Sequence, residues 1–253
     1  MIYTLLNWDG TISQKIILGC ILLIVLVFSL SIHELMHGYV AYKLGDDTAK
    51  LQGRLTFNPL AHLDPVGTLM MLIAGFGWAK PVPVNYGRLT RYKNRYISIR
   101  LVSIAGVTSN FLVAVVSYIL SNAVYLIGIK TVSAFYAPSL DAAVSPGSAI
   151  ISVIFYLFYF FYNTNLMLMA FNLLPIPPLD GYHFAETFLP YKWKQKISGY
   201  ERNIGYILLI LIVVGNLSGF NILGTIISVI EIPFKFIIET PIDALTKAIF
   251  KIL

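Results

Sequence analysis

Four stretches of the chain contain no Asp, Glu, Lys or Arg: Ile16 to His33, Leu101 to Ile129, Ala142 to Leu179, and Asn203 to Ile230. Each reaches or nearly reaches the ~20 residues that carry a helix across ~30 Å of hydrocarbon, so each is predicted to span a bilayer. A fifth apolar piece, Val66 to Trp78, contains Gly67, Gly75 and Gly77 and is too short for a comfortable span. It suits a re-entrant segment. The last stretch stays open: Gly215, Asn216, Ser218 and Gly219 could break it into two shorter helices, and Phe236, Ile237 and Ile238 could extend the second or lie on the membrane surface. The pattern predicts an all-α polytopic membrane protein. It is a helical bundle with a short re-entrant or extended segment near residues 66–86 and C-terminal membrane helices at about 203–238.

Composition agrees. Of 253 residues, 57% are hydrophobic and 12% charged, against ~45–50% and ~25% in soluble domains. A mean hydropathy of +0.76 excludes a disordered chain, and the single Cys20 excludes a disulfide framework. Cys20 lies in an apolar span and reads as packing. The formal charge of +6 is read as cytoplasmic loops rich in Lys and Arg, with no nucleic acid implied.

The loops orient the chain. Lys80 to Arg100 holds Lys80, Arg88, Arg91, Lys93, Arg95 and Arg100 with no acidic residue, which reads as cytoplasmic by the positive-inside rule. Between Ile129 and Ala149 the only charges are Lys130 and Asp141, so this loop is assigned outside, and Lys192, Lys194, Lys196 and Arg202 return the chain to the cytoplasm. The loop from Lys43 to Asp64 carries both signs. The first span then begins outside and reaches the cytoplasmic face near Tyr42, with Gly45 as its stop. No cleavable signal peptide, repeat or appended soluble domain is expected, so residues 1–253 read as one membrane-embedded domain with a core at about 16–190.

Candidate chemistry sits at His33-Glu34-Leu35-Met36-His37. On a helix, positions i and i+4 lie one above the other, so both imidazoles can converge on one metal. Glu34 lies beside them, close enough to take a proton from a water on that metal. About 17 uncharged residues precede the motif, which puts these ionisable groups at membrane depth, where they are expensive and functional by default. A polar cluster joining helices or a proton relay is the bland alternative. Catalytic zinc takes three protein ligands and leaves a position for water. A second anomaly, Asn172-Leu-Leu-Pro175-Ile-Pro177-Pro178-Leu-Asp180-Gly181, puts three prolines and a carboxylate at the end of an apolar span. The chain must unwind there. On the residues alone, Asp180 could complete a metal site or cap a helix over Tyr182 to Leu189.

HELMH followed by NLLPIPPLDG resembles the site-2 protease family of intramembrane zinc metalloproteases, in its short prokaryotic form without PDZ or nucleotide-sensing domains. Phe57-Asn58-Pro59-Leu60-Ala61-His62-Leu63-Asp64-Pro65-Val66-Gly67 and Gly77-Trp78-Ala79-Lys80-Pro81-Val82-Pro83-Val84-Asn85 also look like it, and the similarity covers most of Ser29 to Gly181. The resemblance implies that Asp180 is a third ligand beside His33 and His37, with one Zn2+ per chain. It further implies a zinc metalloendopeptidase that hydrolyses transmembrane protein substrates in regulated intramembrane proteolysis. Two departures stand out. Gly106-Val107-Thr108-Ser109-Asn110 has Val107 where the family often has Pro, and only about 15 residues precede the first span.

On this reading Glu34 is the general base, and a cytoplasmic-side channel admits water. Asn110 could assist at the oxyanion. Residues 78–85, with Pro81, Val82 and Pro83, read as an extended edge that could pair with an unwound substrate. Asn172 either holds substrate backbone or satisfies its own broken helix end. His62 either approaches the site or bonds to backbone in its loop. The expected location is the cell membrane, multi-pass, with regulation left to a separate regulatory or adaptor membrane protein. The competing function is a multi-pass transporter or channel using the His/Glu/Asp cluster as a cation pathway.

Overall fold

The computed structural model describes residues 11–74, 77–131, 146–218 and 221–252. The loop assigned to the outside, between Ile129 and Ala149, falls mostly on residues 132–145 and lies outside them.

The first helix, α1, is Ile12–Lys43. Thr11 begins it with a reciprocal cap: its hydroxyl accepts from the Gln14 amide, and the Gln14 side chain accepts from the Thr11 amide at 2.7 Å, which satisfies two of the amides a helix start leaves open. Gly45, at φ 111°, ends it as expected. A Cβ there would also stand 2.7 Å from Thr90 Oγ1. After the short α2 (Thr48–Leu51) and a 3-10 turn at Pro59–Ala61 comes α3, Pro65–Ala74. Its ten residues rise about 15 Å, half a bilayer. The chain then returns alongside its own approach, with Leu63 bridged antiparallel to Ala79 and the Lys80 amide donating to the His62 carbonyl at 2.8 Å. Gly67 and Gly77 permit this: a Cβ on Gly67 would run into the Trp78 carbonyl, and one on Gly77 into the Gly67 carbonyl. The re-entrant segment predicted from length is therefore a short helix with an extended return.

The long helices α4 (Arg95–Thr131) and α5 (Pro146–Asn172) pack most extensively against each other, and α1 lies against both. Their core is Val107, Ala114, Tyr162, Leu166, Met169 and Ala170. Ala114 and Ala170 are fully buried and let the backbones approach closely. Ile24, Phe28, Leu112, Val116, Ile119 and Tyr156 are exposed, as lipid-facing positions are in a membrane bundle. Helices α1, α4 and α5 are each long and apolar enough to cross a membrane. So is the pair α7 (Tyr191–Ser198) and α8 (Glu201–Ser218), bent by 60° and taken as one broken span. Between α5 and α7 lies α6, Asp180–Glu186.

The C-terminal stretch does break, between Ser218 and the start of α9 (Ile222–Ile252). Phe236, Ile237 and Ile238 extend α9 rather than end it. The helix itself continues past 238 to Ile252, and polar pairing accompanies its extra length. The Tyr162 hydroxyl donates to Glu239 Oε1 and the Tyr118 hydroxyl to Asp243 Oδ1, each at 2.6 Å. Carboxylates that lie beyond the uncharged run in the sequence thus find partners on α4 and α5, and Ile238 joins the α4–α5 core.

Candidate metal centre

His33 and His37 lie one turn apart on the inner face of α1, both buried. Asp180 reaches them from across the bundle. The proline-rich turn from 173 to 179 carries it there, and Gly181 lets that turn close onto α6, since a Cβ would stand 2.6 Å from the Leu174 carbonyl oxygen. Asp180 is the first residue of α6, Leu179 holds the cap position, and no side-chain cap bond forms. The capping alternative therefore fails in its simple form.

His33 Nε2 is 3.1 Å from His37 Nε2, and Asp180 Oδ2 is 3.1 Å from the first and 3.2 Å from the second. Oδ2 is buried and makes no hydrogen bond of acceptable geometry with either ring. The three atoms therefore face a common centre more than they face one another. They fit a small cation: tetrahedral ligands at the ~2.0–2.1 Å of zinc are about 3.3 Å apart. Two neutral nitrogens and one anionic oxygen are also a donor set zinc accepts. Among the described residues this is the group of three or more His, Cys, Asp or Glu side chains able to hold a metal.

Both rings have a second partner. His37 Nδ1 is 2.7 Å from the Val102 carbonyl, and His33 Nδ1 is 3.2 Å from the Asn110 amide. Gly106, one turn before Asn110 on α4, lies against the rings: a Cβ there would stand 2.6 Å from His33 Nε2 and would also meet His37 Nε2. Sequence reading noticed Gly106 only as part of a motif, since a missing side chain gives no signal of what it leaves room for.

Glu34 points to the extended return. Its Oε2 accepts the Val82 amide at 2.8 Å. Gly38 makes the approach possible, because a Cβ there would stand 2.8 Å from Val82 Cγ1. The same segment is held at Lys80, whose carbonyl accepts from Arg54 Nη2 at 2.7 Å, and at Asn85, whose amide donates to the fully buried Asp46 at 2.6 Å. Neither Arg54 nor Asp46 belongs to a motif that sequence reading singled out. Pro81 is exposed and Pro83 half-buried on either side of the buried Val82.

Two other sequence candidates are engaged locally. The Asn172 amide donates to Leu168 O, four residues back, at 3.0 Å. His62 is fully buried, with Nε2 2.9 Å from the Thr56 carbonyl. Neither side chain is one of the three converging groups.

The comparisons with known proteins agree with this chemistry. The family model described as Peptidase family M50 matches residues 21–215. "Putative zinc metalloprotease YwhC" of Bacillus subtilis is 42% identical over 199 residues, 79% of this chain and 82% of that protein. "Putative zinc metalloprotease Rip2" of Mycolicibacterium smegmatis is 29% identical over 191 residues, 74% of this chain and 64% of its own length. The Rip2 of Mycobacterium tuberculosis is 26% identical over 197 residues, 76% and 66% of the two chains. No solved structure matches significantly.

Proposed function

The chain belongs to peptidase family M50, and from that premise we propose that His33, His37 and Asp180 hold the zinc ion of an intramembrane endopeptidase in which Glu34 is the general base. The observation that carries the assignment is the triangle of two imidazole nitrogens and one carboxylate oxygen, 3.1–3.2 Å on a side, inside a membrane bundle. When bound, zinc acidifies a water toward a pKa of ~7 and polarises the scissile carbonyl.

The protein supplies the rest. Glu34, next in sequence to His33, takes the proton of the attacking water and passes it to the leaving amine. Val82 holds the Glu34 carboxylate through its amide, which limits the rotamers from which it works. The segment around Val82 offers substrate an unusual edge. In extended chain the backbone groups of alternate residues point the same way. Of these, the amide and carbonyl of Lys80 and the amide of Val82 are occupied by His62, Arg54 and Glu34. Those of Pro81 and Pro83 point oppositely, and neither proline has an N–H. A substrate strand pairing at these two residues therefore meets acceptors only, and must donate its own amides there. Such a strand exists only once the transmembrane helix of the substrate has unwound.

The proposal places the catalytic core at about 16–190 within one membrane domain. It places the water-accessible side of the site in the cytoplasm of a cell membrane, and the reaction in regulated intramembrane proteolysis, under a separate regulatory or adaptor membrane protein. The orientation rests on Arg88, Arg91, Lys93 and Arg95, in a segment that holds no acidic residue of its own. Cysteines placed between Arg88 and Arg95 on a Cys20→Ser background are expected to resist impermeant thiol reagents in intact cells. Labelling there reverses the orientation.

The function is tested with the purified chain in detergent and a substrate carrying one transmembrane helix. Cleavage is expected to stop when a chelator strips the zinc and to return when zinc is restored. Undiminished cleavage by the stripped protein overturns the reading.

A further inference from the structure

Helix α7 is held at one end of the bundle. Arg100, in the second turn of α4, donates to Thr187 Oγ1 at 2.7 Å and lies over the Phe188 ring just before α7 begins. Lys194 on α7 lies over the ring of Tyr96, at the start of α4, 4.5 Å from its centroid. These contacts put α7 at the end of the α4 span, on the side of the basic loop from Arg88 to Arg95.

The eight residues of α7 are amphipathic. Trp193 and Ile197 stand at i and i+4 on one face, and Lys192 and Lys196 have the same spacing beside them. Trp193 is exposed, as are Tyr191 and Tyr200. Aromatic side chains at the end of a span belong to the membrane interface, where the ring is in apolar surroundings and its polar edge stays wet. A short basic helix with such a face lies on the membrane surface.

The 60° bend between α7 and α8 forms a groove of about 490 Å³. Trp193 and Ile197 line it from α7, Tyr200 at the bend, and Ile204 and Ile207 from α8. Lys196 and Asn203, both exposed, complete the lining. The charges around it are nearly all of one sign. Residues 190–207 hold Lys192, Lys194, Lys196 and Arg202 against Glu201, and Glu201 is engaged by the Tyr182 hydroxyl of α6, which donates to it at 3.1 Å. An apolar groove with an ammonium and an amide in its lining, at the level of lipid headgroups, matches a molecule with a hydrocarbon chain and an anionic head.

We propose that the groove between α7 and α8 binds one anionic phospholipid, with an acyl chain along Trp193, Ile197, Ile204 and Ile207 and the phosphate held by Lys196, assisted by Lys192 and the Asn203 amide. A zwitterionic lipid fills the apolar part equally well. The charge of the head therefore distinguishes this site from ordinary contact with the bilayer, and basic side chains near a membrane surface each favour an anionic lipid about fivefold.

The test uses the full chain in phosphatidylcholine vesicles that contain equal fractions of either brominated phosphatidylglycerol or brominated phosphatidylcholine. The readout is quenching of Trp193, taken as the part of the emission that W193F removes. At low ionic strength the wild type is expected to prefer phosphatidylglycerol about tenfold. K192Q/K196Q is expected to lose most of this preference while phosphatidylcholine quenches it as it does the wild type. R91Q/K93Q removes two charges that lie outside the groove and is expected to keep the preference. Equal quenching of the wild type by the two lipids overturns the proposal. So does a preference that survives in K192Q/K196Q, or one that R91Q/K93Q loses to the same extent, since diffuse surface charge would then account for it. Trp193 quenched by neither lipid also overturns it, and would show that a protein partner or a second copy covers the groove.

Discussion

Glu34→Gln is expected to keep its zinc and lose its cleavage. Gln preserves the length and shape of the side chain, and its carbonyl oxygen can still accept the Val82 amide that Glu34 Oε2 accepts at 2.8 Å. The extended return from Ala79 to Asn85 is separately held by His62, Arg54 and Asp46, so the substitution leaves it in place. Glu34 is also not one of the three converging groups, and the metal should not notice the change. What is lost is the ability to take a proton. General-base assistance contributes about 10²–10⁴-fold, so turnover should fall at least a hundredfold at unchanged zinc stoichiometry.

Asp180→Ala is expected to do the opposite and lose the metal first. It removes the anionic member of the triangle and leaves two imidazoles on one helix. Changes to groups merely behind a ligand cost about 10–100-fold in affinity, and removing a ligand itself should exceed that. Folding has little reason to suffer. Asp180 makes no cap bond at the start of α6, and its favourable interaction with the helix end is worth only ~0.3–1 kcal/mol. Metal analysis after gel filtration should find Asp180→Ala depleted of zinc, with the stripped variant unfolding near the temperature of the stripped wild type. Full zinc retention would remove Asp180 from the ligand set.

The parts of the molecule that follow from local rules could be read from the chain. HELMH predicts two convergent imidazoles because helix geometry alone fixes i and i+4. Gly45 and the pair Gly67 and Gly77 act where their freedom is needed, and the length of Val66 to Trp78 foretells a segment that turns back. Asp180 is a harder case. Its residues permit a cap or a ligand equally, and only the resemblance chose before the Oδ2 position decided the cap question.

What escaped the sequence depends on partners far away along the chain. The extent of α9 is one instance: Glu231 ends an uncharged run, and Pro233 and Pro241 look like breaks, yet the helix reaches Ile252. Tyr118 and Tyr162, more than seventy residues earlier, receive its carboxylates. Asp46 and Arg54 are another, ordinary loop charges until Asn85 and the Lys80 carbonyl arrive beside them. Asn110 and Gly106 are the third. Both were visible, but what they do is set by α1 lying against α4, and no spacing within either helix records that contact.

The central claim, that this membrane bundle is a zinc peptidase whose base is Glu34, is tested most directly by one paired measurement. Zinc content and cleavage of a single-span substrate are determined on the same detergent preparations of wild type and Glu34→Gln. The account predicts one zinc per chain in both and cleavage in the wild type alone. Glu34→Gln that cuts as fast as wild type with its zinc in place would contradict it.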